Sequence, residues 1–173
     1  MLHLFRRKNL FLRSYLIYSL YISSFIYPIV IMATPNPTLI SQNYLSNSFL
    51  NKLLIQGMEK GIQGDYQKSI TNFTKVIRLS PYEIEAYYNR GIAYGKIDYN
   101  IDAIADFNKA IRLNNNMVDI YIARAKVYYK LGKLGEAITD LKTAKILCCQ
   151  QKNKVCYQET LEMLNSFQLN QNP

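Results

Sequence analysis

From residue 50 onward, apolar positions recur at the spacing of helices rather than strands. Leu53 and Gly57, then Ser69, Phe73 and Val76, then Tyr87, Gly91 and Tyr94 fall three or four residues apart within each group. Such spacing gathers apolar side chains along one face of a 3.6-residue helix. The pattern predicts helices over 50–62, 66–79, 83–97, 100–113, 117–131 and 134–147. Turn residues separate them at Gly64-Asp65, Asp98 and Gly132-Lys133. A seventh helix is predicted near 154–167, with Val155, Leu161, Leu164 and Phe167 inward and Gln158, Glu159 and Glu162 in water.

The pattern also repeats as a whole. Gly57, Gly91 and Ala125 lie 34 residues apart, as do Ser69, Ala103 and Ala137. Phe73, Phe107 and Leu141 form a third column, and Val76, Ala110 and Ala144 a fourth. Each column keeps one size class, so the period belongs to the fold and not to composition. The units are 50–83, 84–117 and 118–151, and Leu53, Tyr87 and Tyr121 share a further register position. A unit of two amphipathic helices cannot bury its own apolar faces, so neighbours must stack. The small residues let helices approach, while Tyr87, Tyr94, Phe107, Tyr121, Tyr128 and Leu141 fill the space between them.

Unit two reads Tyr87, Gly91, Tyr94, Ala103, Phe107 and Ala110, and Pro81 closes unit one. On these residues the chain resembles the tetratricopeptide-repeat family over 50–151. Lys60 and Ser69 depart from that pattern in the first unit, and the closing prolines of the other two are replaced by Asn115 and Cys149. The resemblance implies an all-α fold, a right-handed α-solenoid of three helix hairpins with a C-terminal capping helix and tail over 152–173. It also implies a concave groove lined by the first helix of each unit. Carried across residue by residue, that groove would hold Asn51, Leu54 and Met58, then Glu85, Tyr88, Asn89, Ile92 and Lys96, then Asp119, Ile122, Lys126, Tyr129 and Lys130. This apolar and aromatic mixture with a basic end suits an extended or helical protein segment carrying acidic groups. The family's asparagine is present only as Asn89, Ile55 and Ala123 standing at the matching positions. Arg90 and Arg124 are expected to cover apolar surface with their stems and to meet Asp106 and Asp140 with their heads.

Charge adds a second feature. Arg6, Arg7, Lys8 and Arg13 precede twenty uncharged residues, Ser14 to Ala33, and no charged residue appears between Arg13 and Lys52. A basic cluster before an apolar stretch reads as an export signal, or as an N-terminal membrane anchor over 1–33. Either places the repeats outside the cytoplasm, in a periplasm or lumen. Residues 34–49, rich in Pro, Asn and Ser, read as a linker. The net charge is +9, much of it in that leader, and the remainder shows no basic cluster of the kind a nucleic-acid surface needs.

Residue types limit the chemistry further. The single histidine is His3, so the repeats lack an imidazole for acid–base catalysis, for nucleophile pairs or for most zinc sites. Acid pairs such as Asp98/Asp102 and Asp102/Asp106 sit at helical spacing without another cleft-forming group. No enzymatic activity, cofactor or metal is expected. Outside the cytoplasm a disulfide is permitted, and Cys149 with Cys156 is the expected pair, leaving Cys148 as a buried apolar residue. Two functions fit: a scaffold or assembly factor that binds a protein segment in the groove, or a structural module that self-associates into a homo-oligomer.

Overall fold

A computed structural model describes residues 37–169, with side-chain surroundings from Ser46 onward. The leader assigned to residues 1–33 lies outside these described residues. Seven helices and no strand form among them: α1 (Pro37–Ile62), α2 (Tyr66–Leu79), α3 (Ile84–Lys96), α4 (Asn100–Leu113), α5 (Val118–Lys130), α6 (Leu134–Gln150) and α7 (Lys154–Leu169). None is long and apolar enough to cross a membrane. The chain divides into two compact units after Asn47, and the packing below belongs to the second.

The predicted helices match these closely, with one correction. The linker assigned to 34–49 is helical from Pro37 onward. Proline is well suited to the first helical position, and residues 38–49 contain neither Gly nor Pro to end the helix. Asn and Ser weigh against helix only weakly.

Successive helix pairs build successive core layers. Leu53, Leu54, Phe73, Val76 and Ala86 pack together first. Tyr87, Phe107, Ala110, Ile120 and Val127 form the next cluster. The third hairpin and α7 share Ala125, Ala137, Ile138, Leu141 and Leu164. The tightest point in each hairpin is the small residue of the first helix. A Cβ placed on Gly57 would meet Phe73 Cε1 at 2.7 Å, and one on Gly91 would meet Phe107 Cε1 at 2.7 Å. In the third hairpin both partners change: Ala125 stands opposite Leu141, and both are fully buried. Glycine accompanies phenylalanine, and alanine accompanies the slimmer leucine, so the hairpins keep similar spacing with different residues.

Polar atoms in these layers find partners. Ser69 stands where the other units have alanine, and its hydroxyl donates to the Gly57 carbonyl at 2.9 Å. Tyr87 and Tyr121 donate to the carbonyls of Pro81 and Asn115 at 3.3 and 3.2 Å, tying each first helix to the turn before it. The turns inside the hairpins share a left-handed residue at one register position, Gly64 (φ 79°), Asp98 (φ 65°) and Gly132 (φ 72°). That geometry suits glycine and is tolerated by aspartate.

The disulfide differs from expectation. Cys148 pairs with Cys156, their Cα atoms 5.7 Å apart, while Cys149 is free and exposed. Cys148 follows Leu141 and Ala144 by seven and four residues, on the helix face that packs against α7; Cys149 is turned about 100° away. Helical phase selects Cys148, and the bond joins α6 to α7.

Substitutions at two glycines should move stability in opposite directions in urea denaturation followed by circular dichroism. Gly91→Ala forces Phe107 aside, and despite alanine's better helix propensity it should cost about 1–2 kcal/mol. Gly135→Ala meets no atom within 4 Å and should stabilise by up to about 1 kcal/mol. Opening the disulfide by Cys156→Ser, a loop of sequence separation 8, should cost about 2–3 kcal/mol. Cys149→Ser should leave stability within about 0.5 kcal/mol.

Candidate functional site

The first helices α1, α3 and α5 turn one side to each other's neighbours and the other to an open trough. Three adjoining cavities mark its length. Between α3 and α5 lies one of about 500 Å³, walled by Tyr88, Ile92, Lys96, Asp119, Ile122, Lys126 and Lys130 over a floor of Gly91, Phe107, Ala123 and Val127. Between α1 and α3 lies one of about 360 Å³ that includes Met58, Ile62, Tyr66, Asn89, Ile92 and Lys96. Toward α7 lies one of about 430 Å³ that includes Asp119, Ile122, Val155, Cys156 and Glu159. Ile92 and Lys96 are common to the first two, and Asp119 and Ile122 join the first to the third.

Most groove positions predicted from sequence therefore meet in one place. The exceptions have physical causes. Leu54 is only 8% exposed and belongs to the first core layer. Asn51 and Glu85 are exposed but line none of these cavities. Tyr129 stacks on Phe167 of α7 with ring centroids 3.9 Å apart, so the capping helix covers it. Asn89 donates to the Glu85 carbonyl of its own helix at 2.8 Å, and its amide is engaged in the unbound groove. Val155, expected to pack inward, is instead 68% exposed and lines the third cavity with Cys156 and Glu159, because it lies in the first turn of α7, outside the face that carries Leu164 into the core.

Charge in the trough is unevenly satisfied. Lys130 is held by Asp98, at the end of the neighbouring α3 hairpin. Lys96 and Lys126 are exposed and make no ion pair among the described residues. Tyr88 lies half-buried against Phe107, ring centroids 6.3 Å apart. Burial raises its phenol pKa, and the nearby Asp119 carboxylate raises it further, so its hydroxyl stays protonated and able to donate.

Behind the trough runs a polar network with the same period. Arg90 donates through Nε and Nη2 to Asp106 at 2.7 and 2.8 Å, and through Nη1 to Thr74 at 3.0 Å. Arg124 donates to Asp140 at 2.8 and 2.7 Å, and to Asn108. Each arginine thus joins the second helix of its own unit to the second helix of the unit before. Its guanidinium also lies 5.8 Å from two tyrosine rings, Tyr87 and Tyr94 for Arg90, Tyr121 and Tyr128 for Arg124. Burial opposes the charged guanidinium, but the bidentate carboxylate outweighs it and raises the pKa of both arginines. Burial raises the Asp106 carboxyl, and the Arg90 hydrogen bonds pull it back only in part. The expected pairs with Asp106 and Asp140 form, so Asp106 is committed to Arg90. Among the described residues no cluster of acids, cysteines or histidines could hold a metal ion.

A family profile described as TPR repeat matches residues 62–98 and 101–132. Comparison with curated protein sequences gives no match. Among solved structures, the chain is similar to the Yersinia enterocolitica type III secretion translocator chaperone SycD, with 18% identity over 82% of this chain and 98% of that one and a TM-score of 0.73. It is also similar to the TPR2B domain of yeast Sti1 in its pHsp70 complex, with 24% identity over 70% and 97% and a TM-score of 0.67. A third similar structure is the first TPR of Spaghetti (RPAP3) bound to the HSP90 peptide SRMEEVD, with 25% identity over 72% and 94% and a TM-score of 0.64.

The arginine network predicts an asymmetry between single and paired substitutions. Asp140→Ala leaves the Arg124 charge largely enclosed without its carboxylate, and should lower stability by about 2–4 kcal/mol in thermal or urea unfolding. Arg124→Met combined with Asp140→Leu should recover most of that loss, ending within about 1 kcal/mol of the unsubstituted chain.

Proposed function

The chain is a tetratricopeptide-repeat protein, and we propose that it is a binding scaffold or assembly factor that holds a partner segment in its concave trough and catalyses no reaction. The observation that carries this is the trough itself: an apolar floor, two lysines without ion-pair partners among the described residues, and three joined cavities across successive helices. A surface of this length and chemistry fits a linear segment better than a compact small molecule. The HSP90 peptide complex among the similar structures supports the same use of the fold.

We also place the repeats outside the cytoplasm. The support is the basic cluster followed by twenty uncharged residues at the N-terminus, together with the Cys148–Cys156 disulfide, a bond that persists in oxidising compartments. The leader would either be removed or hold the repeats at a membrane surface.

Site-specific photocrosslinking in the native cell tests the assignment. A photoreactive phenylalanine at Ile122, in the trough, should give a discrete adduct of larger mass with another protein. The same group at exposed Lys142 on α6 should give none. An adduct containing two copies of this chain would replace the scaffold reading with self-association, and equal crosslinking from both positions would refute the groove. For location, a reporter enzyme that needs disulfides for its activity, fused after the repeats, should be active in the native cell, whereas an inactive reporter would overturn the external placement.

A further inference from the structure

The charges along the trough are ordered, and all but Lys130 are without an ion pair among the described residues. The cavity between α1 and α3 contains Lys96 and no acid, and most of its wall is apolar. The middle cavity adds Asp119 at the N-terminal end of α5 and Lys126 and Lys130 toward its C-terminal end. The cavity toward α7 contains Asp119 and Glu159 and no basic residue. A molecule lying along all three would pass from an apolar site to a basic one and then to an acidic one.

These charges do not cancel one another. Asp119 and Lys126 are separated by seven residues of α5, about 10 Å along the axis at 1.5 Å per residue, and neither makes an ion pair among the described residues. Glu159 and Lys96 are likewise without an ion pair, and Lys130 alone is neutralised, by Asp98. The helix dipole explains an acid in the first turn of α5 and a lysine in its last. It does not explain Lys126 or Glu159, which lie further inside their helices.

Resting on the scaffold reading above, we infer that the trough selects an extended protein segment with a fixed order of chemistry. An apolar side chain enters between α1 and α3, a carboxylate lies beside Lys96 and Lys126, and a cation lies beside Asp119 and Glu159. Packed helices stand about 8–10 Å apart, and an extended chain advances about 3.3 Å per residue. Consecutive groups in the partner are therefore separated by about three residues. Order gives selectivity that net charge cannot: exchanging acid and base would bring like charges together at both sites.

Selection from a phage-displayed library of random peptides, about twelve residues long to span the three cavities, tests this on the immobilised full chain. Enriched peptides should carry apolar, acidic and basic residues in that order, in one chain direction or the other. With Lys96→Gln and Lys126→Gln together, the acidic preference should disappear while the basic one remains, and a selected peptide should bind about fivefold more weakly. Asp119→Asn with Glu159→Gln should do the converse, and Lys142→Gln should change neither. Circular dichroism verifies the fold of each variant, and the single Lys126→Gln and Glu159→Gln substitutions serve if a pair loses helix. Peptides enriched without any charge order, or bound equally by both paired variants, would overturn this inference and leave the scaffold reading standing. No enrichment over the bare support would overturn both.

Discussion

The stack depends on how closely the two helices of a hairpin can approach where an aromatic or leucine side chain of one meets a side chain of almost no size on the other. At Gly57 and Gly91 the neighbouring phenylalanine ring occupies the space that a Cβ would need. This contact fixes the separation within each hairpin, and with it the angle at which the first helix presents its other side. The trough is the outer face of that arrangement: Phe107 and Gly91, which make the close contact, also form the floor of its middle cavity. Packing and binding surface are two sides of one layer of residues.

A second constraint acts between hairpins. Hydrophobic contact alone lets neighbouring units slide, because dispersion and burial have little directionality. Arg90 and Arg124 add direction. Each presents a planar fork to a carboxylate and a third donor to Thr74 or Asn108 of the preceding unit, between two tyrosine rings. Satisfying all of these at once restricts the rotation of one unit against the next. The two cavities of the trough that lie between repeat units inherit their shape from that restriction.

Much of this was legible in the sequence because it rests on periodicity. Four columns of matched size, 34 residues apart, delimit the units, helical spacing within them marks six helices, and Arg90 and Arg124, like Asp106 and Asp140, stand at the same interval. What escaped was information that periodicity does not carry. Thr74 and Asn108 differ in chemistry, so their shared position was not recognisable as a column. Helix phase at the chain end, not separation along the chain, chose Cys148 over Cys149. The reach of α7 over Tyr129 comes from its own length: sixteen residues, Lys154–Leu169, carry Phe167 back along α6 to Tyr129. Asn and Ser in 38–49 suggested an irregular connection, yet nothing there prevents a helix from continuing.

Because every partner in the arginine network recurs at the same interval, the seam between units is interchangeable. Removing 84–117 would bring Thr74 to the place now held by Asn108 and leave Arg124 with Asp140 intact on its other side. The number of turns in such a protein can therefore change by whole units through duplication or loss in the gene, without inventing a new joint. A change of any other length would leave a buried guanidinium facing the wrong helix.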